Sequence, residues 1–222
     1  MKQACAGRQW GKSGIWLAFF AIATLLATTG FVHIINVWVE QKLLPIGIHF
    51  PWLELVWIIG STTVTLLTVV ATGLIREESL LLRIVPVLLW GAGNLIEVLS
   101  KHWLYALPPF PTGLSPQAGS WLEKIETLLA PPIPFWPASA SLNGGSFLIG
   151  SFPSGHVFRT TFMAGLLLPQ RLGRVLVPVI GAATAFATIA TGGHWLWDGI
   201  GGFCLAQAAL SAWQAAQNIG RT

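Results

Sequence analysis

Charge is what this chain has least of. Asp, Glu, Lys and Arg make up 9% of its 222 residues, against 54% hydrophobic residues and twelve Trp. A soluble core of this size needs far more surface charge, so the composition describes an integral membrane protein. Acidic residues number only eight, too few for a magnesium cage, and no glycine-rich nucleotide loop occurs. Cysteine is nearly absent. Cys5 falls in the basic N-terminal tail and Cys204 inside an apolar segment, a placement that supports neither a disulfide nor a metal site. No cofactor is implied, and the net charge of +4 follows from where the cations sit, not from a nucleic-acid partner.

Long apolar runs fill the space that charge leaves. Six segments approach bilayer length: about 15–37, 52–75, 80–99, 151–168, 175–191 and 195–213. The first has a basic start but runs past signal-peptide length without a clear small-x-small cleavage site, so it reads as a retained helix. Lys2, Arg8 and Lys12 precede the first segment, Arg76 and Arg83 surround the second connection, Arg171 and Arg174 the fourth, and Arg221 closes the chain. With six spans all of these fall on one side, which the positive-inside rule makes cytoplasmic. The expected fold is all-α and polytopic: one domain over 1–222, six transmembrane helices and both termini inside. Residues 106–150 form the one long connection, on the outside. Its prolines rule out a continuous helix. Ser120-Trp121-Leu122-Glu123 within it has capping-box spacing, consistent with a short amphipathic helix on the membrane surface or packed on the bundle.

The polar residues inside these runs cluster. Ser151-Phe152-Pro153-Ser154-Gly155-His156-Val157-Phe158-Arg159 reads as a tight turn opening into an apolar helix. Ser154 suits the N-cap, and the free N–H groups of the first turn beside Gly155 suit an anion. His156 and Arg159 share one helical face. Asn94, Glu97 and Lys101, at i, i+3 and i+7, occupy the outer end of the third segment; His194 and Asp198, at i and i+4, begin the sixth. Three segments therefore bring ionisable groups to one membrane level, where such groups are costly and by default functional. For Glu97 and Lys101 the simplest role is a mutually neutralising pair. Asp198 can fix the tautomer of His194 and leave its other nitrogen free to attack. His156 can protonate a leaving oxygen, while Arg159, Lys101 and the N–H groups after Ser154 stabilise a phosphoryl group. No step needs a metal.

Together these residues resemble the type-2 phosphatidic acid phosphatase superfamily, membrane lipid phosphatases related to vanadium haloperoxidases. The family's motifs are Lys-x6-Arg-Pro, Pro-Ser-Gly-His and Ser-Arg-x5-His-x3-Asp. The likeness covers about 94–202. Pro153, Ser154, Gly155 and His156 match the second motif in full; Lys101 matches the first; His194 and Asp198 match the third. Pro108 stands where the first motif has arginine, and Ala187 and Thr188 stand where the third has Ser-Arg. Arg159 is the candidate replacement for one lost cation, and His102 or Lys124 for the other. The resemblance implies catalysis by His194, His156 and Asp198, with phosphate held by Lys101, Ser154, Gly155 and Arg159. It implies a lipid phosphate or diphosphate substrate of the isoprenyl diphosphate, phosphatidate or phosphatidylglycerophosphate class. The site would lie on the extracytoplasmic side of the inner or plasma membrane. A lipid phosphotransferase using the same intermediate, and a non-catalytic lipid-phosphate binder or transporter, are the alternative readings.

Overall fold

The computed structural model describes residues 2–29, 31–76, 79–104 and 151–220, and every regular element among them is helical. In chain order they are α1 (Lys2–Thr28), α2 (His33–His49), a 3₁₀ turn (Pro51–Glu54), α3 (Leu55–Ile59), α4 (Thr62–Arg76), α5 (Leu80–Trp103), α6 (Gly155–Leu167), α7 (Gln170–Ala190) and α8 (Leu196–Gly220). The proline-rich connection 106–150, with its Ser120–Glu123 capping box, lies outside the described residues, as does Arg221.

Ala6–Thr28, Leu82–Trp103 and Gln170–Ala190 are long and apolar enough to cross a bilayer, and Thr62–Ile75 is a shorter apolar helix. Their outward faces carry large apolar side chains such as Leu25, Leu67, Leu88 and Val175, as expected of a surface that meets lipid.

Two expected segments are divided differently. The run at 15–37 is not one helix: α1 stops at Thr28 and α2 starts at His33. The Thr28 and Thr29 hydroxyls donate back to the carbonyls of Thr24 and Leu26, a competition with the helical ladder, and Gly30 follows in the sequence. The run at 52–75 is also broken. Phe50 precedes Pro51 and leaves the helical region (φ −125°, ψ 71°), so α2 ends there. The chain turns by 106° between α2 and Pro51–Ile59. It breaks again at Gly60-Ser61, where the Ser61 Oγ accepts from the Val64 N–H (3.3 Å) and caps α4.

The bundle is built around α8, which packs along α1 and against α5 and α6, while α6 also lies along α7. In a bilayer, lipid tails are as apolar as Leu, so close packing and internal hydrogen bonds hold the helices together more than water exclusion does. Phe158 and Phe162 on α6 stack at 5.9 Å in a fully buried cluster with Trp90, Leu205 and Leu210. The Trp90 Nε1–H donates to Thr65 Oγ1 (3.2 Å), pinning α5 to α4. Glycines permit the tightest approaches: a side chain at Gly202 would strike the Ser154 carbonyl oxygen and lie 3.2 Å from the Phe158 nitrogen.

This contact separates two glycine variants. Gly202→Ala should lower stability by about 1–3 kcal/mol, because α6 and α8 cannot separate without disturbing the turn at Ser154. Gly91→Ala, with nothing within 4 Å of the added carbon, should be neutral or stabilising by up to about 1 kcal/mol. Thermal unfolding in detergent distinguishes them.

Candidate active site

His194 and Asp198 are presented by the turn between α7 and α8. Thr191 closes α7, and Gly192 adopts φ 73°, a left-handed conformation that glycine takes without steric cost. The N–H groups of Gly192 and Gly193 return to the carbonyls of Ile189 and Thr188. The chain then swings out and re-enters as α8, so His194 lies just before the helix and Asp198 in its first turn. Asp198 Oδ2 accepts from His194 Nδ1 (3.2 Å) and from the Trp195 backbone N–H (2.9 Å). Both residues are buried, Asp198 to 1% exposure. This geometry holds the imidazole by one nitrogen and leaves Nε2 directed elsewhere.

The second turn is fixed to the first through the backbone. The Ser154 N–H donates to the Asp198 carbonyl (2.9 Å), while the Ser154 Oγ accepts from the Val157 N–H (3.4 Å) and caps α6. Ser154 is thus the N-cap that its sequence position suggests, but its own N–H is committed to Asp198. Gly155 is the first residue of α6, and a side chain there would collide with the Glu97 carboxylate. The His156 ring faces the His194 ring at a centroid distance of 6.4 Å.

Arg159, one turn along, points at α5. Its Nη1 donates to Glu97 Oε2 (2.8 Å) and Asn94 Oδ1 (3.0 Å), and its Nε to the Gly60 carbonyl (2.7 Å). Glu97 Oε1 simultaneously accepts from Lys101 Nζ (2.7 Å). One carboxylate therefore serves two cations, and the cluster keeps an excess positive charge next to the histidines. His102 lies beside Trp103, and Lys124 falls outside the described residues. No group of three or more His, Cys, Asp or Glu side chains with metal-holding geometry occurs among the described residues.

Trp57 on α3 belongs to this site, although sequence pattern gave no reason to single it out. Its ring meets His156 edge-on at 4.4 Å, stacks on His194 at 5.9 Å, and donates from Nε1 to Thr191 Oγ1 (3.2 Å). The bent segment α2–α3 thus covers the histidines. His33 packs edge-on to Trp195, and Asn36 Oδ1 accepts from the Trp197 N–H. The signal that could have placed this segment here was its punctuation, Phe50-Pro51 and Gly60-Ser61.

A histidine held by a carboxylate, a second histidine facing it and a cationic cluster thus meet at the same helix ends. The chain belongs to the PAP2 superfamily, whose profile matches residues 62–212, and it is an enzyme of the PAP2 phosphatase type. Its fold is similar to the crystal structure of a transmembrane PAP2-type phosphatidylglycerolphosphate phosphatase from Bacillus subtilis. The TM-score is 0.60, the sequence identity 19%, and 95% of each chain is covered. No curated protein sequence matches the chain.

The shared carboxylate predicts unequal losses. Glu97→Leu should cost about 3–5 kcal/mol, because it leaves buried cations without their counter-charge. Thr191→Val, which removes the bond from Trp57 and the hydroxyl's own bond to the Ala187 carbonyl (2.8 Å) but leaves no buried charge unpaired, should cost about 1 kcal/mol. Both are read as thermal unfolding midpoints in detergent.

Proposed function

We propose that this protein removes phosphate from a membrane lipid phosphate or diphosphate through a phosphohistidine at His194, without a metal. The reading rests above all on the buried His194–Asp198 contact at 3.2 Å, with His156 across from it. In the first step His194 Nε2 attacks phosphorus while the bond to the lipid oxygen breaks, and His156 delivers a proton to that oxygen. Asp198 holds the Nδ1–H and stabilises the charge that develops on the ring. In the second step water attacks the phosphohistidine, gives its proton to His156, and inorganic phosphate leaves. Lys101 and Arg159, incompletely neutralised by Glu97, together with the N–H groups at the start of α6, stabilise the equatorial oxygens in both steps.

The same reading gives six crossings, α1, α4, α5, α6, α7 and α8, with α2–α3 covering the site at its outer end. Lys12, Arg83, Arg171 and Arg174 sit near the opposite end of the helices, which makes that end and both termini cytoplasmic. The site then faces the extracytoplasmic side of the cell membrane, where a lipid headgroup meets the cations and its tail stays between helices. Isoprenyl diphosphate, phosphatidate and phosphatidylglycerophosphate all fit this chemistry.

Phosphate release in detergent with EDTA, measured on those three lipids, tests the proposal. Release is expected for at least one lipid. It should fall to background in His194→Ala and by about 10²–10⁴-fold in His156→Ala. A folded wild-type protein that releases phosphate from none of them overturns the hydrolase reading in favour of transfer to another acceptor or of binding alone. For topology, green fluorescent protein fused to the C-terminus should fluoresce, whereas alkaline phosphatase fused there should be inactive.

A further inference from the structure

At the far end of the bundle, about 20 Å along α8 from Asp198, lies a second polar cavity. The start of α1, the α6–α7 junction and the second half of α8 border a half-open space of about 510 Å³. Lys12 and Arg174 line it together with Gln9, Gln207, Ser211 and Gln214, and no acidic side chain does. Neither cation forms an ion pair among the described residues. Ser211 is 6% exposed, and Gln9 Oε1 is buried and unpartnered. Two solvent-exposed cations on one cavity wall, with no acid among the lining side chains, give this space a positive potential that suits an anion.

The wall is not polar throughout. Trp16, Val177 and Leu210 line the same space, and the volume exceeds what a bare phosphate would fill. An amphiphile meets both halves, with its anionic head on Lys12 and Arg174 and its glycerol or acyl portion on the apolar side.

We infer that this cavity binds the phosphate-bearing headgroup of an anionic lipid, at a site separate from the catalytic histidines and at the opposite end of the helices. The bound lipid ties α1 to α6, α7 and α8, and so stabilises the bundle. In the orientation proposed above, the lipid belongs to the cytoplasmic leaflet.

The full chain is purified in nonionic detergent, and its unfolding midpoint is followed on titration with short-chain phosphatidylglycerol, short-chain phosphatidylcholine or inorganic phosphate. Phosphatidylglycerol should raise the midpoint by several degrees, and the other two should not. The double variant Lys12→Gln/Arg174→Gln should lose that rise while retaining the phosphate release that wild type shows without added anionic lipid. An equal rise with phosphatidylcholine, or an unchanged rise in the double variant, overturns the inference. A full rise with inorganic phosphate alone overturns the lipid assignment and makes this a free-anion site. Should the double variant not fold, Lys12→Gln alone decides: native mass spectrometry should show phosphatidylglycerol affinity reduced about fivefold, and unchanged affinity contradicts the site. Because phosphate release is measured separately, failure here leaves the catalytic proposal standing.

Discussion

Glu97 divides its two carboxylate oxygens between Lys101 on its own helix and Arg159 on α6. That division organises much of the bundle end that carries the histidines. Arg159 also reaches the carbonyl of Gly60 and the side chain of Asn94, so α5, α6 and the link into α4 are held by one guanidinium. A lone carboxylate or guanidinium at this depth would be costly; here the carboxylate is paired with both cations, and Gly60 and Asn94 take up further Arg159 donors. Because one acid faces two cations, the neutralisation is incomplete. The remaining positive charge lies beside the histidines.

Around that cluster the site is assembled from helix ends, not helix middles. His194 precedes α8, Ser154 caps α6, and their turns are joined by the Ser154 N–H to Asp198 carbonyl bond. The two histidines therefore keep their spacing through backbone geometry instead of through long flexible side chains. Trp57 adds a rigid aromatic surface against both rings, held by Thr191. It lies on α3, a segment too short to cross a bilayer, which is free to cover the site because it is not required to span.

The helical class and several helix positions were legible in the sequence because apolar runs of bilayer length have few other uses. The pairing of Ser154 with α6 and of His194 with Asp198 was legible because N-cap and i, i+4 relations are local. Partners across helices were not. Spacing put Arg159 on the face of His156, but only tertiary packing could aim its Nε and Nη1 at Gly60, Asn94 and Glu97. The breaks within 15–37 and 52–75 were hidden by unbroken hydrophobicity on either side of single punctuating residues. For the same reason Trp57 was one tryptophan among twelve. Hydropathy reports how much of a segment is apolar; the bend at Phe50-Pro51 and the cap at Ser61 depend on individual backbone preferences that such averaging erases.

In the proposed reaction the oriented histidine carries the phosphoryl group. Turnover quenched rapidly in alkali, followed by peptide mass spectrometry, tests it most directly. Phosphate is expected on His194 during turnover of a lipid phosphate, with no such adduct in His194→Ala. Turnover with no phosphohistidine, or with the phosphate on His156 instead, would contradict it.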